Sequence, residues 1–202
     1  VTAEDAGLWT DGRYFLQAAE QLQGSGIALR KMGEDVTIPA YLSSVLSAGQ
    51  CLGYDGRTVR AGYAAQLRNA LQQQDIRFDE TTDLVSELWT DRPPFPAAPV
   101  WALPTVYTGK SRGEKLAELR RAMADAGADC HLLAALDDIA WLFNLRGGDV
   151  PYNPVFMAYA LLTPQETVLY AALAAFSADL TAALGKDGIT LRPYGQIYTD
   201  LA

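Results

Sequence analysis

Side chains that could carry out chemistry are few and scattered in this chain. The one histidine, His131, lies in the run DCHLL at residues 129–133, which predicts a strand that enters a core. Metal-dependent hydrolysis needs several carboxylates and imidazoles that converge on one point, so a lone histidine at a strand end favours a structural role. The HExxH, GxSxG, GxGxxG and P-loop patterns do not occur. We therefore expect no catalytic residues, no metal ligands and no cofactor in this chain.

Asp137 and Asp138 are adjacent carboxylates at the start of a predicted helix. Either Asp137 or Asp138 could serve a small independent hydrolase. Acidic residues in a first helical turn, however, usually complement the helix dipole. We favour the structural interpretation.

The strongest candidate for molecular recognition is the loop predicted at residues 144–154, which carries Arg146, Asp149, Tyr152 and Asn153. An amphipathic helix precedes it, Gly147-Gly148 is expected to end that helix, and two prolines stiffen the path into the next strand. Polar loops on a rigid scaffold often carry recognition groups.

A structural interpretation of the same loop stays open. In it, Arg146 forms an ion pair with Asp149, Asn153 satisfies loop backbone groups, and Phe156 is part of the core.

The run Asp11-Gly12-Arg13-Tyr14 is explained by folding alone. Asp11 is expected to cap a helix, Gly12 to permit a tight strand-to-helix turn, and Arg13 to pair with a nearby carboxylate. The later triplet at residues 55–57 is interpreted as a chance match, because its flanking residues differ.

Composition restricts the class of protein. The chain has 202 residues, half of them hydrophobic, and a net charge of −8, which predicts a folded protein and opposes binding to nucleic acid or to an anionic membrane. Cys51 and Cys130 are expected to be buried free thiols of a reducing compartment. With no apolar run long enough to span a membrane and no signal segment, we predict a cytoplasmic location.

Strand-like and helix-like runs alternate along the chain, which predicts α/β architecture. In the first half, we predict strands at residues 7–10, 27–32, 51–54 and 76–78, and helices at 11–22, 38–46, 58–74 and 83–89. The buried face of the long helix is expected to contain Val59, Tyr63, Leu67, Ala70 and Leu71.

A proline-rich segment at residues 91–99 is the predicted domain boundary, because proline fixes φ and removes an amide donor. Beyond it, we predict extended chain at 100–103, a capping box at residues 111–114 opening a helix to 127, and a strand at 130–134. We also predict a hairpin of residues 155–162 and 167–172, a helix at 175–184, a strand at 189–192 and a helical start at 195. Leu116, Leu119, Met123 and Ala126 are expected to face inward on the capped helix.

Three long segments resemble one family. They are LWTDGRYFLQA at residues 8–18, ELWTDRPP at 87–94, and LDDIAWLFNLRGGDVPYNPVFMAY at 136–159. In this order they resemble the long-form Xaa-Pro aminopeptidases of the creatinase/prolidase superfamily, ahead of the catalytic domain.

The resemblance implies two creatinase N-terminal-like, ribonuclease H-like α/β units, with mixed sheets flanked by helices. Residues 1–90 would be the C-terminal portion of the first domain, 91–99 a linker, and 100–202 the N-terminal portion of the second. Both units would be truncated, in a natural fragment or a piece excised from a longer protein, and open sheet edges would then favour association with another chain.

The resemblance also implies a function. The chain would be a non-catalytic region that supports dimer assembly and substrate access to its own C-terminal catalytic domain, which would hold manganese or zinc. The parent protein would remove an N-terminal residue that precedes proline from peptides. Arg146, Asn153 and Phe156 would bind substrate by shaping the channel.

A different class of function remains open, because fold alone does not decide activity. The same superfamily fold serves in some histone chaperones as a catalytically inactive docking module for peptides or histones. The acidic balance suits a basic partner, although the chain has no long acidic block.

Overall fold

The computed structural model describes residues 1–201. The chain divides into two compact units, unit 1 from Val1 to Arg92 and unit 2 from Pro93 onward. Each unit is described by itself below.

Unit 1 contains two parallel strand pairs with four helices. Strands β1 (Gly7–Thr10) and β2 (Ala28–Lys31) pair with each other, as do β3 (Cys51–Gly53) and β4 (Arg77–Asp79). The helices are α1 (Phe15–Gln21), α2 (Ile38–Val45), α3 (Ala61–Leu71) and α4 (Leu84–Leu88), and a short 3-10 turn at Gly12–Tyr14 precedes α1. The predicted strands and helices of this half are therefore present, with shifts of a few residues at their ends.

Two Asp-Gly-Arg triplets in unit 1 share one local geometry. Asp11 accepts a hydrogen bond from the backbone N–H of Arg13 at 3.0 Å and a forked pair from its guanidinium at 2.9 and 2.8 Å. Asp55 does the same for Arg57, at 3.0, 2.9 and 2.9 Å. The predicted cap at Asp11 is confirmed. The second triplet has the same local bonds, and its interpretation as a chance match rather than a repeat stays a prediction.

Helix α3 is shorter and less buried than its sequence pattern predicts. Leu67 and Leu71 are buried as expected, but Ala70 is exposed. The helix begins at Ala61 rather than at residue 58, because Thr58 closes a turn onto the carbonyl of Asp55.

Unit 2 is built on a four-stranded mixed sheet. The strands of unit 2, in chain order, are β5 (Trp101–Ala102), β6 (His131–Leu133), β7 (Leu145–Arg146), β8 (Ala158–Leu162), β9 (Thr167–Ala171) and β10 (Ile189–Pro193). The helices of unit 2 are α5 (Thr105–Thr108), α6 (Arg112–Asp125), α7 (Leu136–Leu142), α8 (Ala178–Lys186) and α9 (Ile197–Asp200). The sheet order is β10-β9-β8-β6; β10 runs parallel to β9, and the other neighbours are antiparallel. Strands β5 and β7 form a separate antiparallel pair. The predicted α/β class with mixed sheets and helices is confirmed.

The capping box of α6 is present as predicted. The backbone N–H of Ser111 donates to the Glu114 carboxylate at 2.8 Å, and that of Glu114 donates to the Ser111 hydroxyl at 3.3 Å. Leu116 and Met123 are buried, but Ala126 is exposed, so its predicted inward position is wrong. Ala126 is the C-cap residue, beyond the last turn that packs on the core.

Both faces of the unit 2 sheet are covered at its centre. All five residues of β9 are buried. On one face Tyr170 packs with Ile197 of α9, and its hydroxyl donates to Asp200 at 2.8 Å. Burial and this hydrogen bond raise the pKa of Tyr170 to about 12. Helix α9 confirms the helical start predicted at residue 195.

Cys51 and Cys130 are free but exposed, so the prediction that they are buried is wrong. Cys51 begins β3, and Cys130 precedes β6 instead of lying within it. Among residues 1–201, no helix has the length and apolar content needed to cross a membrane.

Candidate recognition loop

The turn after α7 is made by Asn144 in a left-handed conformation. Its φ is +53°, and its side chain is held at both ends: the amide donates to the Lys110 carbonyl at 2.9 Å and the oxygen accepts from Lys115 at 2.7 Å. Asparagine tolerates this conformation better than most residues. The prediction that Gly147-Gly148 ends the helix is therefore wrong, because the chain turns at Asn144 and forms strand β7 before those glycines.

Lys115 fixes the end of α7 from the neighbouring helix. This residue is only 2% exposed, and its ammonium donates to the Trp141 carbonyl at 2.8 Å and lies 4.0 Å from the centre of the Trp141 ring. Burial lowers the pKa of Lys115 below its ordinary value of 10.5, and the nearby cations Arg146 and Lys110 lower it further.

Sequence reasoning missed this lysine. Its signal is its place on α6, four residues before Leu119 and next to Leu116, on the side of the helix that faces the core.

Arg146 lies in β7 at the base of the loop and is half-buried. Its guanidinium donates to the carbonyls of Ala140 at 2.9 Å and Leu145 at 2.8 Å. Across the β5–β7 pair its partner is Trp101, whose side chain is partly exposed. The ion pair between Arg146 and Asp149 is not formed, because the Asp149 carboxylate accepts from two backbone N–H groups, those of Ala98 and Met157.

The loop folds back on itself as a narrow turn. The N–H of Gly147 donates to the Pro154 carbonyl at 3.3 Å, and that of Asp149 donates to the Val155 carbonyl at 3.2 Å. At the tip, Pro151 is followed by Tyr152, which has a φ of +62° and a fully exposed side chain. Proline followed by a positive φ is typical of a type II turn.

Asn153 lies at the exposed end of this turn. Its backbone N–H donates to the Val150 carbonyl at 3.2 Å, and its carbonyl accepts from Val155 at 2.8 Å. The backbone of Asn153 thus closes the loop, while its side chain is exposed.

Phe156 is 1% exposed and packs edge-on against Phe176, with ring centroids 5.9 Å apart. A Cβ atom at Gly147 would lie 2.6 Å from the Cβ of Phe156, so glycine is required there. Phe156 is therefore a core residue, as the structural interpretation of the loop predicts. Because its side chain is buried, Phe156 could affect a ligand only by supporting the base of the loop.

The loop region contains charged, amide and aromatic side chains. Arg146 supplies a cation at the base, Asn153 an amide near the tip, and Trp101 and Trp141 partly exposed indole surfaces. Arg146 and Phe156 flank Gly147 at the base, whereas Asn153 pairs with Val150 beside the tip.

The residues considered for catalysis do not assemble a site with this loop. Asp137 and Asp138 lie exposed in the first turn of α7, and His131 is half-buried at the start of β6. Within the described part of the chain, no three His, Cys, Asp or Glu residues cluster so that they could hold a metal ion. These residues therefore do not fit a metal centre.

Family models for the creatinase/prolidase N-terminal domain match both halves of the chain, at residues 1–88 and at residues 91–202. The chain is also similar to a probable Xaa-Pro aminopeptidase P of Leptosphaeria maculans, with 36% identity over all of this chain and 33% of the relative. Aminopeptidase P1 of Arabidopsis thaliana is likewise 36% identical, over all of this chain and 31% of its own length. The chain thus spans about a third of the length of the curated relatives it matches.

A solved structure has the same fold. It is the X-prolyl aminopeptidase of Caenorhabditis elegans, described as a cytosolic enzyme with a di-nuclear active site. The TM-score is 0.91 with 31% sequence identity, and the match covers all of this chain and 33% of the worm protein.

Proposed function

This chain belongs to the creatinase/prolidase N-terminal domain family, and we propose that it is the non-catalytic N-terminal region of a metal-dependent Xaa-Pro aminopeptidase. In this proposal it assists removal of an N-terminal residue that precedes proline. The observation that carries the proposal is the match over all of this chain to aminopeptidase P relatives, which are about three times as long as the chain. Residues 1–90 and 100–202 would be portions of two such domains.

The chemistry of this proposal lies outside the described residues, since they do not fit a metal centre. The structural relative is described as having a di-nuclear active site, and manganese or zinc in a separate catalytic domain would meet that need. By the same relationship, we propose a cytoplasmic homodimer in which this chain contacts its own catalytic domain.

The loop at residues 144–154 is the proposed contribution to substrate access. Arg146 and Asn153 would contact the proline-containing peptide, and Phe156 would hold the loop base in place. Narrowing the entrance orients the peptide and excludes water, and both effects contribute to rate.

The proposal is tested by joining this chain to the remaining two thirds of the Leptosphaeria relative, in place of that relative's own matching region. The metal-loaded chimera should release the first residue of a peptide with proline second, and should release little from the same peptide with alanine second. The control is the remaining two thirds alone. A folded, metal-loaded chimera no more active than that control contradicts the proposal.

Replacing Arg146 in the chimera tests the loop. Arg146→Ala should raise KM about tenfold, the equivalent of about 1.4 kcal/mol of binding. The matched control is Arg121→Ala, because Arg121 is exposed on α6 and bonds only within its own helix. Equal KM values in the two variants would show that Arg146 does not contact the substrate.

The alternative is a docking module for basic peptides, favoured by the net charge of −8. Several carboxylates are already paired within the chain, among them Asp11, Asp55 and Glu80, which weakens this alternative. Calorimetric titration with a lysine-rich peptide and with a proline-second peptide separates the two functions. Tighter, salt-sensitive binding of the lysine-rich peptide alone would favour docking.

A further inference from the structure

One carboxylate joins three separate segments of unit 2. The Asp149 Oδ1 atom accepts from the backbone N–H of Ala98 at 2.9 Å, and its Oδ2 atom accepts from that of Met157 at 2.8 Å. Asp149 itself belongs to the recognition loop, where its own N–H donates to the Val155 carbonyl. The proline-rich segment, the loop and the approach to β8 therefore meet at this side chain.

The proline-rich segment at residues 93–99 is docked on unit 2 at both ends. The Phe95 ring lies 4.4 Å from the Tyr194 ring, and the N–H of Val100 donates to the Ala175 carbonyl at 2.8 Å. Because four of the residues at 91–99 are prolines without an N–H, Ala98 is one of the few donors through which the segment can be held. The Asp149 carboxylate accepts the hydrogen bond from that N–H group.

We propose that Asp149 is the positioning residue of the recognition loop, and that it sets the loop position relative to the proline-rich segment. The role of the loop in recognition rests on the proposed function, but its positioning by Asp149 does not. Hydrogen bonds to an ionised carboxylate are stronger than neutral ones, and both oxygens are needed to accept from two donors. An asparagine at this position can accept at only one of them.

Amide NMR of the whole chain tests the positioning directly. In Asp149→Asn, the Ala98 and Met157 amide signals should show the largest shifts of all, and hydrogen exchange should accelerate at residues 93–100 and 147–157 together. The matched control is Asp129→Asn, which changes an exposed aspartate outside the loop and should leave both signals in place. If neither amide moves, or if exchange stays unchanged in both segments, Asp149 does not join them.

A second variant changes the proline-rich segment rather than Asp149. It keeps the proposal testable if Asp149→Asn does not fold. Phe95→Ala loosens the proline-rich segment and should accelerate exchange in the loop, whereas Tyr107→Ala, an exposed aromatic change elsewhere in unit 2, should not. Combined with Asp149→Asn, Phe95→Ala should accelerate loop exchange less than it does alone, because the connection is already weakened. Unchanged loop exchange in Phe95→Ala, or full additivity, would overturn the proposal. Amides of β9 report whether each variant is folded, and no peptide substrate enters either measurement.

Discussion

Unit 1 and unit 2 have similar alternations of strand and helix but very different cores. Of the 26 buried hydrophobic residues among those described, three belong to unit 1, namely Ala18, Leu67 and Leu71. The rest surround the four-stranded sheet of unit 2. In unit 1 the two parallel pairs remain separate, and each leaves strand edges unpaired. Local sequence patterns therefore specify the helices and strands, whereas the assembly of strands into a sheet determines how much apolar surface they bury.

The largest expected difference between the units is the cost of removing a buried leucine. Leu162→Ala, a fully buried position at the end of β8, should destabilise unit 2 toward the upper end of about 2–5 kcal/mol. Leu67→Ala in unit 1 should cost toward the lower end, because fewer buried neighbours surround the cavity and the site collapses more easily. Urea unfolding, followed by amide signals assigned to each unit, measures both. Equal losses of unfolding free energy would contradict the difference between the two cores.

Lys115→Met should have the next largest effect. The change keeps the length of the side chain but leaves the Trp141 carbonyl and the Asn144 side-chain oxygen without their donor, so unit 2 should lose about 1–3 kcal/mol. Lys110→Met, an exposed lysine change, is the control. Its smaller effect should be that of a surface ion pair with Glu118.

Lys115 also predicts the sign of a pH response. Its pKa is lowered in the folded state, so between that value and 10.5 the unfolded chain binds more protons than the folded one. The unfolding free energy of unit 2 should therefore rise as pH increases toward 10.5, relative to Lys115→Met over the same range. A parallel pH dependence in the two proteins would contradict the role of Lys115.

Acid should weaken unit 1 through Asp79, with a smaller effect. The backbone N–H of Thr81 and the hydroxyls of Thr82 and Thr81 donate to this carboxylate and lower its pKa from 3.8 to about 2. Because the folded pKa is the lower one, the stabilisation is present above 3.8 and is lost as pH falls through about 2. Amide signals of β4 should show this loss in the natural chain and a flatter response in Asp79→Asn. An identical acid response in the two proteins would show that Asp79 is not the source of the acid sensitivity of unit 1.

Backbone strain gives the smallest predicted effect. Tyr152 and Asp75 both have positive φ values, +62° in unit 2 and +50° in unit 1. Tyr152→Gly should stabilise unit 2 by about 0.5 kcal/mol, since relief of strain exceeds the added freedom of the unfolded chain. Asp75→Gly should give less, because aspartate tolerates this conformation. Thermal unfolding measures both, and a larger gain at Asp75 would contradict this account.

Local sequence signals predicted most of the fold. The capping box at Ser111, the cap at Asp11 and the β8–β9 hairpin depend on neighbouring residues, and each is present. The predictions for Ala70, Ala126 and the two cysteines failed because burial depends on which distant elements cover a face.

The same distinction applies to the candidate site. The helix before the loop follows from its own sequence, but Asn144 is held by the side chain of Lys115 on α6 and by the backbone carbonyl of Lys110. Asp149 accepts from Ala98, 51 positions away, and that partner excludes the ion pair that short spacing favours. No local pattern specifies either contact.

The positions of the two cysteines offer a practical opportunity. Cys51 lies on unit 1 and Cys130 on unit 2, and both thiols are free and exposed. A donor and an acceptor fluorophore can therefore be attached through maleimide chemistry with no engineered residue. Energy transfer between the dyes would follow the separation of the two units in solution as peptides, salt or a joined catalytic domain are added.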